Sequence, residues 1–294
     1  MTQLFYDLPL YRPPSEAENL IIQATLGCSF NRCTFCAMYK TREFRARDIA
    51  EVFDDIDRAA EVSRETRRVF LADGDALVLP TDQLVAILNR LAETFPELQR
   101  VTTYALPANL LKKSVEELRL LREHKLTLVY YGIETGSADI LRRIRKGATP
   151  QGMIEGLRKA REAGIKTSCT VILGVGGKKH WRDHIESTAN LVNAAAPNYV
   201  STLQLMLDET TLDDFLTSFG EAFEFQDDDG ILAEQELFVS LIEPNSPVIF
   251  RSNHASNALP LAGTFPKDKA RLLAEIRAAR DGTLSLRPAW ARAL

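Results

Sequence analysis

The sequence predicts an α/β fold built from six strand-and-helix units. Short runs of apolar, β-branched residues alternate along the chain with segments whose apolar residues recur at helical spacing. The chain has 294 residues, of which 45% are hydrophobic, so it is long enough to bury a large core. Alternation of this kind implies parallel strands joined by right-handed crossovers. Six units are too few to close an eight-unit barrel.

Each element has a local signal. An extended lead-in, residues 1–19, contains Pro13 and Pro14, which cannot donate ladder hydrogen bonds. A capping-box pattern at Ser114 and an N-cap with proline at Thr149 start two of the helices. The strands are predicted at residues 20–26, 68–72, 101–105, 126–131, 165–173 and 198–207. The helices between them are predicted at residues 49–60, 84–91, from 115, 150–163 and 185–192.

Three of the four cysteines lie on one loop directly after the first strand. Cys28, Cys33 and Cys36 have the spacing C-x4-C-x2-C. Thiolates are soft ligands that suit an iron–sulfur cluster or zinc. Structural zinc sites use four ligands, but the chain has no second C-x-x-C and no histidine before His124. Three cysteines fit a cubane cluster with one open iron; zinc, or a disulfide with a spare thiol, is the alternative.

Polar and glycine residues follow three of the other strands, where parallel α/β folds collect their ligand-binding groups. Asp73-Gly74-Asp75 follows the second strand, and Gly132 to Ser137, with Glu134 at its centre, follows the fourth. An acidic residue in an apolar strand costs free energy unless it is paired, so Glu134 is either a site residue or a buried ion-pair partner. Gly174 lies in a glycine-rich run after the fifth strand.

Together these segments, within residues 20–207, resemble the radical S-adenosylmethionine (radical SAM) enzymes. The commonest spacing in that family is C-x3-C-x2-C, so the four-residue first gap is a minority variant. The resemblance implies a partial (β/α)6 TIM-type barrel, here residues 20–210. Residues 211–294 would be an extension covering the open side, with helices at 231–241 and 267–279 and a strand at 247–251.

The resemblance also implies cofactors and site residues. Cys28, Cys33 and Cys36 would bind three irons of a 4Fe–4S cluster, and SAM would coordinate the fourth. The residues expected to contact the cofactors are Phe35, Gly74, Asp75, Glu134, Ser168, Thr170 and Gly174. The implied activity is reductive cleavage of SAM to a 5′-deoxyadenosyl radical that abstracts hydrogen from a substrate. A flavodoxin or ferredoxin would then supply the electron. The alternative is a non-catalytic iron–sulfur or zinc protein that senses redox state or binds a partner.

Several polar residues outside these segments carry weaker predictions. Arg251, Asn253, His254 and Asn257 follow a short apolar strand and suit either substrate binding or a turn that satisfies its own backbone. His180 and His184 are four apart on a predicted helix and are expected at the surface. Cys169 lies within a strand, where a cysteine usually behaves as a small hydrophobic residue.

Composition excludes some classes of protein. The net charge is −4 and no basic stretch dominates, which disfavours a dedicated nucleic-acid-binding domain. No apolar run reaches the roughly 18 residues of a membrane span. The first residues lack the basic start and cleavage site of a signal peptide. We therefore expect the cytoplasm, where thiols stay reduced.

Overall fold

The computed structural model describes residues 4–292 and has the predicted α/β fold with a largely parallel sheet. Its strands are β1 (Leu20–Gln23), β2 (Thr25–Leu26), β3 (Arg45–Ala46), β4 (Arg68–Ala72), β5 (Arg100–Ala105), β6 (Leu126–Glu134), β7 (Lys166–Leu173), β8 (Tyr199–Gln204), β9 (Val248–Arg251) and β10 (Ala262–Phe265). Its helices are α1 (Ile49–Val62), α2 (Thr81–Thr94), α3 (Pro107–Lys112), α4 (Val115–Glu123), α5 (Ala138–Arg143), α6 (Pro150–Glu162), α7 (Gly177–Ala195), α8 (Leu212–Phe219), α9 (Asp228–Leu241) and α10 (Lys269–Arg280).

In the order of the main sheet, β1, β4, β5 and β6 are successive neighbours, and so are β7, β8, β9 and β10. Strands β1, β4, β5 and β6 pair in parallel, and so do β7, β8 and β9. Strand β10 runs antiparallel to β9, and β2 and β3 form a separate antiparallel pair. All six predicted parallel strands are present, each within a few residues of its predicted position.

The chain divides into two compact units. The first comprises Met1–Asn31, Met38–Tyr131 and Gly156–Thr167. In it, the lead-in lies along the first strand: the Tyr6 hydroxyl donates to the Ile21 carbonyl at 3.1 Å, and the Asp7 N–H donates to Gln23 Oε1 at 2.9 Å. Leu10 packs against the buried cluster of Ile21, Phe70 and Ala72. These hydrogen bonds and the Leu10 contact together hold the lead-in against the first strand.

Local capping accounts for the predicted helix start in this unit. The Ser114 hydroxyl accepts a hydrogen bond from the Glu117 N–H at 3.1 Å, and the Glu117 carboxylate accepts one from the Ser114 N–H at 2.7 Å. This is the reciprocal capping box that the sequence predicted, and it satisfies two otherwise unpaired donors at the start of α4.

The second unit comprises Arg32–Ala37, Gly132–Glu155 and Ser168–Leu294. Its C-terminal part was predicted to cover the open side of the barrel, and that role stays a prediction. In the structure it also extends the sheet, because β9 pairs in parallel with β8 and β10 then pairs with β9. Helix α9 buries Leu232, Phe238 and Val239. A domain boundary at residue 210 stays a prediction, although the pairing of β8 with β9 crosses it.

None of the helices that the structure describes for residues 4–292 combines the length and the apolar character needed to cross a lipid bilayer.

Candidate functional site

The cysteine loop in the first unit begins at a buried carboxylate, Asp73. One of its oxygens, Oδ2, accepts a hydrogen bond from the Gly27 N–H at 3.2 Å, and Gln23 Nε2 donates to both oxygens at 3.2 and 3.3 Å. The Asp73 N–H donates to Thr25 Oγ1 at 3.2 Å. Burial raises the pKa of Asp73 to about 6, although the Gln23 and Gly27 hydrogen bonds favour its charged form. Asp73 was noted in the sequence as part of the Asp73-Gly74-Asp75 turn but was not among the expected cofactor contacts, yet its side chain fixes the backbone that leads into Cys28.

Gly74, a predicted site residue, lies directly against that loop. A Cβ at this position would be 2.5 Å from Tyr39 Cε2 and 3.3 Å from the Cβ of Cys28. The Tyr39 ring is buried and also packs edge-on against Tyr11, with ring centroids 5.3 Å apart, so it has little room to move. Only glycine therefore lets the end of β4 approach Cys28 this closely.

Asp75 is fully buried, although it is the residue predicted to meet an ammonium group. Its Oδ2 accepts a hydrogen bond from the Ser29 hydroxyl, whereas Oδ1 has no hydrogen-bond partner within 3.5 Å among residues 4–292. Burial raises the pKa of Asp75 to about 7, although Ser29, Asn109, Lys112 and Lys113 favour the charged form. The Asn109 side chain lies near enough to Asp75 to favour its charge but makes no hydrogen bond of good geometry to Oδ1, so this oxygen can accept one from a ligand ammonium group.

The other two cysteines of the loop lie in the second unit, and both are half-buried. Between them, the Thr34 N–H donates to the Ile144 carbonyl at 3.1 Å. Phe35 packs against a buried apolar cluster made of Ile140, Ile144, Ile172, Val175, Phe215 and Phe219. These contacts anchor the segment that carries Cys33 and Cys36.

Glu134 is the last residue of β6 rather than a residue beyond it, and it forms a buried ion pair. Its Oε1 lies 2.7 Å from Lys146 Nζ, and less than a tenth of either side chain is exposed. Burial opposes the charge of Lys146, but attraction to Glu134, Cys33 and Cys36 raises the pKa of its ammonium group. Glu134 has a φ of +60°, a strained conformation for a residue with a Cβ. Lys146 lies just beyond the end of α5.

The predicted cofactor residues on β7 differ in how accessible they are. Ser168 and Thr170 are half-buried and alternate with the fully buried Cys169, which confirms that this cysteine belongs to the core. Gly174 follows the strand with a φ of +82°, which favours glycine. Its N–H donates to Glu234 Oε2 at 2.6 Å, so a side chain of α9 fixes the turn after β7.

Two polar residues of the second unit, His184 and Glu234, are buried close to each other near this turn. His184, expected at the surface, is fully buried, and its Nδ1 lies 2.8 Å from Thr135 Oγ1. Its Nε2 lies 4.0 Å from Glu234 Oε2. Burial lowers the pKa of His184 to about 4 and raises the pKa of Glu234 to about 7. The i, i+4 spacing of His180 and His184 was a signal in the sequence that could have pointed to His184. No comparable sequence motif marks Glu234.

The four predicted substrate residues do not form one group. The Asn257 amide is fully used within the protein: Oδ1 accepts from the Gln204 N–H at 2.8 Å, and Nδ2 donates to the Thr202 carbonyl at 2.7 Å. His254 Nδ1 bonds the Ser256 side chain at 2.9 Å. These two residues satisfy local structure, which is the alternative that the sequence left open. Arg251 and Asn253 are exposed, and their role stays a prediction.

The donor set fits an iron–sulfur cluster and SAM. No disulfide joins the cysteines, all of which lie in the described part of the chain. Within residues 4–292, no three His, Cys, Asp or Glu side chains are already gathered as a metal site, so the ligand assignment rests on the three thiols of the loop. The close approach at Gly74 and the open Oδ1 of Asp75 are the features that fit the methionine end of SAM.

Comparison with known proteins supports the same conclusion. Residues 22–192, more than half of the chain, match the Radical SAM superfamily. The heme chaperone HemW of Bacillus subtilis is 21% identical over 186 residues, which are 63% of this chain and 48% of HemW. The matches cover only 26% to 48% of the lengths of the curated relatives.

Solved structures share the fold. Coproporphyrinogen III oxidase (HemN) from Escherichia coli superposes with a TM-score of 0.57 at 17% identity, covering 76% of this chain and 52% of HemN. The methyltransferase TsrM from Kitasatospora setae, with cobalamin and a [4Fe-4S] cluster bound, also gives 0.57, at 16% identity, covering 90% of this chain and 61% of TsrM. With its sheet topology and its cysteine loop, the chain belongs to the radical SAM superfamily.

Proposed function

We propose that this enzyme cleaves SAM reductively and uses the resulting radical to take a hydrogen atom from a substrate. Radical SAM enzymes bind a 4Fe–4S cluster and SAM, and these are the cofactors of this chain. When bound, the reduced cluster supplies one electron to break the C5′–S bond of SAM, giving methionine and a 5′-deoxyadenosyl radical. The observation that carries the proposal is the C-x4-C-x2-C loop, whose first cysteine packs beside Gly74.

The residues of the loop have distinct roles in this proposal. Cys28, Cys33 and Cys36 ligate three irons as thiolates. Phe35, packed in its apolar cluster, keeps water from the adjacent thiolate of Cys36. The ammonium charge of Lys146 lies where it balances part of the negative charge of Cys33 and Cys36, while Glu134 orients it.

The remaining cofactor residues orient SAM. Asp75 accepts a hydrogen bond from the methionine ammonium group, and Gly74 leaves room for the methionine chain. Ser168 and Thr170 present hydroxyl groups to the ribose. The turn at Gly174, fixed by Glu234, presents backbone to the adenine ring. Each of these groups binds or positions the cofactor and leaves the bond-breaking electron to the cluster.

The reaction needs an external reductant. Protein iron–sulfur clusters reach potentials as low as about −700 mV, so the donor must have a low potential, and a flavodoxin or ferredoxin meets this requirement. Three thiols that must stay reduced in order to hold a cluster also require a compartment that keeps thiols reduced, for which we propose the cytoplasm.

Anaerobic reconstitution tests the proposed function. The protein is loaded with iron and sulfide, reduced with dithionite and incubated with SAM, and 5′-deoxyadenosine and methionine are quantified by mass spectrometry. We expect both products in equal amounts, and neither from protein that was not loaded with iron. A protein that holds four irons and binds SAM but forms no 5′-deoxyadenosine would contradict the proposal.

A further inference from the structure

One face of the parallel strands in the second unit is partly exposed and polar. Side chains alternate between the two faces of a strand, and the residues on one face of β7, β8 and β9 are almost completely buried. These buried residues are Cys169, Val171, Val200, Thr202, Val248 and Phe250. Most of their neighbours on the opposite face are half-buried or exposed, namely Ser168, Thr170, Tyr199, Ser201, Ile249 and Arg251, whereas Ile172, at the end of β7, is buried. Parallel sheets are normally covered on both faces, so an accessible polar face in mid-strand is a departure that a bound ligand would explain.

The strand register aligns three of these polar residues. Thr170 on β7 is paired with Ser201 on β8, and Ser201 is paired with Arg251 on β9. Residues paired in this way point to the same face, and neighbouring strands lie roughly 4.8 Å apart. The three side chains therefore form a row in which Ser201 lies one strand, and Arg251 two strands, from the proposed ribose contact at Thr170.

Arg251 is available for an anion. Its Nη1 donates to the Phe250 carbonyl at 2.8 Å and to the Gly263 carbonyl at 3.4 Å, which orients the guanidinium group. No carboxylate of residues 4–292 lies within 4.0 Å of it. The edge formed by Nε and Nη2 is the one that pairs with a carboxylate through two parallel hydrogen bonds.

We propose that the free edge of the Arg251 guanidinium group, together with the Ser201 hydroxyl on the neighbouring strand, binds a carboxylate group of the substrate. This inference rests on the proposed function and adds the chemical class of the substrate to it. One guanidinium group balances one negative charge, which favours a carboxylate over a phosphate.

Binding of small probes to the reconstituted, SAM-saturated enzyme tests this inference. The probes are sodium benzoate, its neutral analogue benzamide and inorganic phosphate, titrated by isothermal calorimetry or saturation-transfer NMR. We expect benzoate to bind and benzamide to bind about tenfold more weakly, because a charged hydrogen bond is lost. Wild-type protein that does not bind benzoate, or that binds phosphate more tightly, would overturn the assignment to a carboxylate.

Matched variants locate the binding. Arg251→Gln should weaken benzoate binding about tenfold or more and Ser201→Ala by a smaller factor, while SAM affinity stays unchanged. Arg182→Gln, at an exposed arginine of α7, should have no effect.

Arg251→Lys keeps the positive charge but cannot donate two parallel hydrogen bonds to a carboxylate. It should give an intermediate loss of benzoate affinity, which distinguishes a binding effect from a folding defect. Equal benzoate affinity in Arg251→Gln and wild type, or a loss of SAM affinity instead, would refute the proposal. The binding assay needs no turnover. Benzoate binding can therefore be absent in an enzyme that cleaves SAM, and it can be present in a protein that does not cleave SAM.

Discussion

At the scale of single residues, the four cysteines differ in what surrounds them. Cys28, Cys33 and Cys36 are half-buried on one loop, whereas Cys169 is fully buried in β7. The thiolates of the loop can reach a cluster, because a partly exposed thiol can ionise and coordinate. A thiol packed among apolar side chains behaves as a small hydrophobic group.

Replacing the cysteines one at a time tests this division. Alanine at position 28, 33 or 36 should abolish 5′-deoxyadenosine formation and lower the iron content, since each removes one of three ligands. Cys169→Ala should retain iron and activity, with only a modest loss of thermal stability from the small cavity. Iron analysis and product quantification decide the matter. Loss of iron in Cys169→Ala would show that the ligand assignment is wrong.

Asp75 predicts a pH dependence of SAM binding. Because burial raises its pKa to about 7, the carboxyl group is mostly neutral at pH 6 and ionises as the pH rises. SAM affinity of the wild type, measured by equilibrium binding under anaerobic conditions, should therefore increase between pH 6 and pH 7.5. Asp75→Asn should bind SAM roughly tenfold to a hundredfold more weakly at pH 7.5 and lose this pH dependence, with its iron content unchanged. If the variant bound SAM as tightly as the wild type, Asp75 would have a structural role only.

Glu234 predicts a second pH effect, this time on stability. Its folded-state pKa is raised to about 7, so the native protein holds this proton over a range in which the unfolded chain has lost it. The associated stability is complete below about pH 4.5 and is lost as the pH rises through 7. Relative to Glu234→Gln, the wild type should lose on the order of 2–3 kcal/mol of unfolding free energy between pH 5 and pH 8.

Urea unfolding of both proteins at each pH measures this difference. Taking wild type minus variant removes the contribution of groups distant from Glu234. His184 lies 4.0 Å from Glu234 and its lowered pKa acts in the opposite direction, so the double difference with His184→Gln isolates the contribution of Glu234. A difference that does not change with pH would mean that Glu234 titrates normally.

At the scale of elements, Gly74 shows how strand β4 and the cysteine loop depend on each other. Gly74→Ala would place a Cβ 2.5 Å from the Tyr39 ring, so either the ring or the loop must move. We expect this variant to lose iron and SAM binding while the sheet stays folded. The double variant Gly74→Ala with Tyr39→Leu, which removes the obstructing ring, should recover part of the iron content. Normal iron content in Gly74→Ala alone would contradict this account.

The elements also show what sequence patterns can and cannot predict. Strands β1, β4, β5, β6, β7 and β8 and the long helices between them were predicted because they repeat a clear apolar period. Helix α8 and strand β10 were missed, since each is short and ordered by tertiary packing: Phe215 and Phe219 of α8 are buried against α5, and β10 forms only by pairing with β9.

The same limit applies to the candidate site. Residues with a distinctive spacing, such as the three cysteines, could be selected from the sequence alone. The burial of His184, Glu234 and Asp73 could not be predicted from the sequence, because it results from contacts with residues distant in sequence. The partner of Glu134 was anticipated only as a class, and the structure identifies it as Lys146.

At the scale of the whole molecule, the C-terminal extension, residues 211–294, is packed into the second unit as an integral part of its fold. Strand β8 has β9 as its neighbour, and the turn at Gly174 is bonded to Glu234 of α9. Asn193 of α7 bonds the backbone at Leu241 and Glu243, which follows α9. The apolar cluster around Ile172 includes Phe215 and Phe219. Residues 168–210 therefore depend on contacts with residues that come after them.

A chain that ends at residue 210 tests this dependence. Its strand β8 would present an unpaired edge, and Ile140, Ile144 and Ile172 would lose the aromatic side chains that bury them. We expect this truncated chain to aggregate, or to bind a hydrophobic dye and unfold without a cooperative transition, whereas the full chain unfolds cooperatively. Size-exclusion chromatography and near-ultraviolet circular dichroism distinguish the two. A monomeric truncated chain with cooperative unfolding and a full complement of iron would show that residues 20–210 form an independent domain, and that the C-terminal strands and helices are an addition to it.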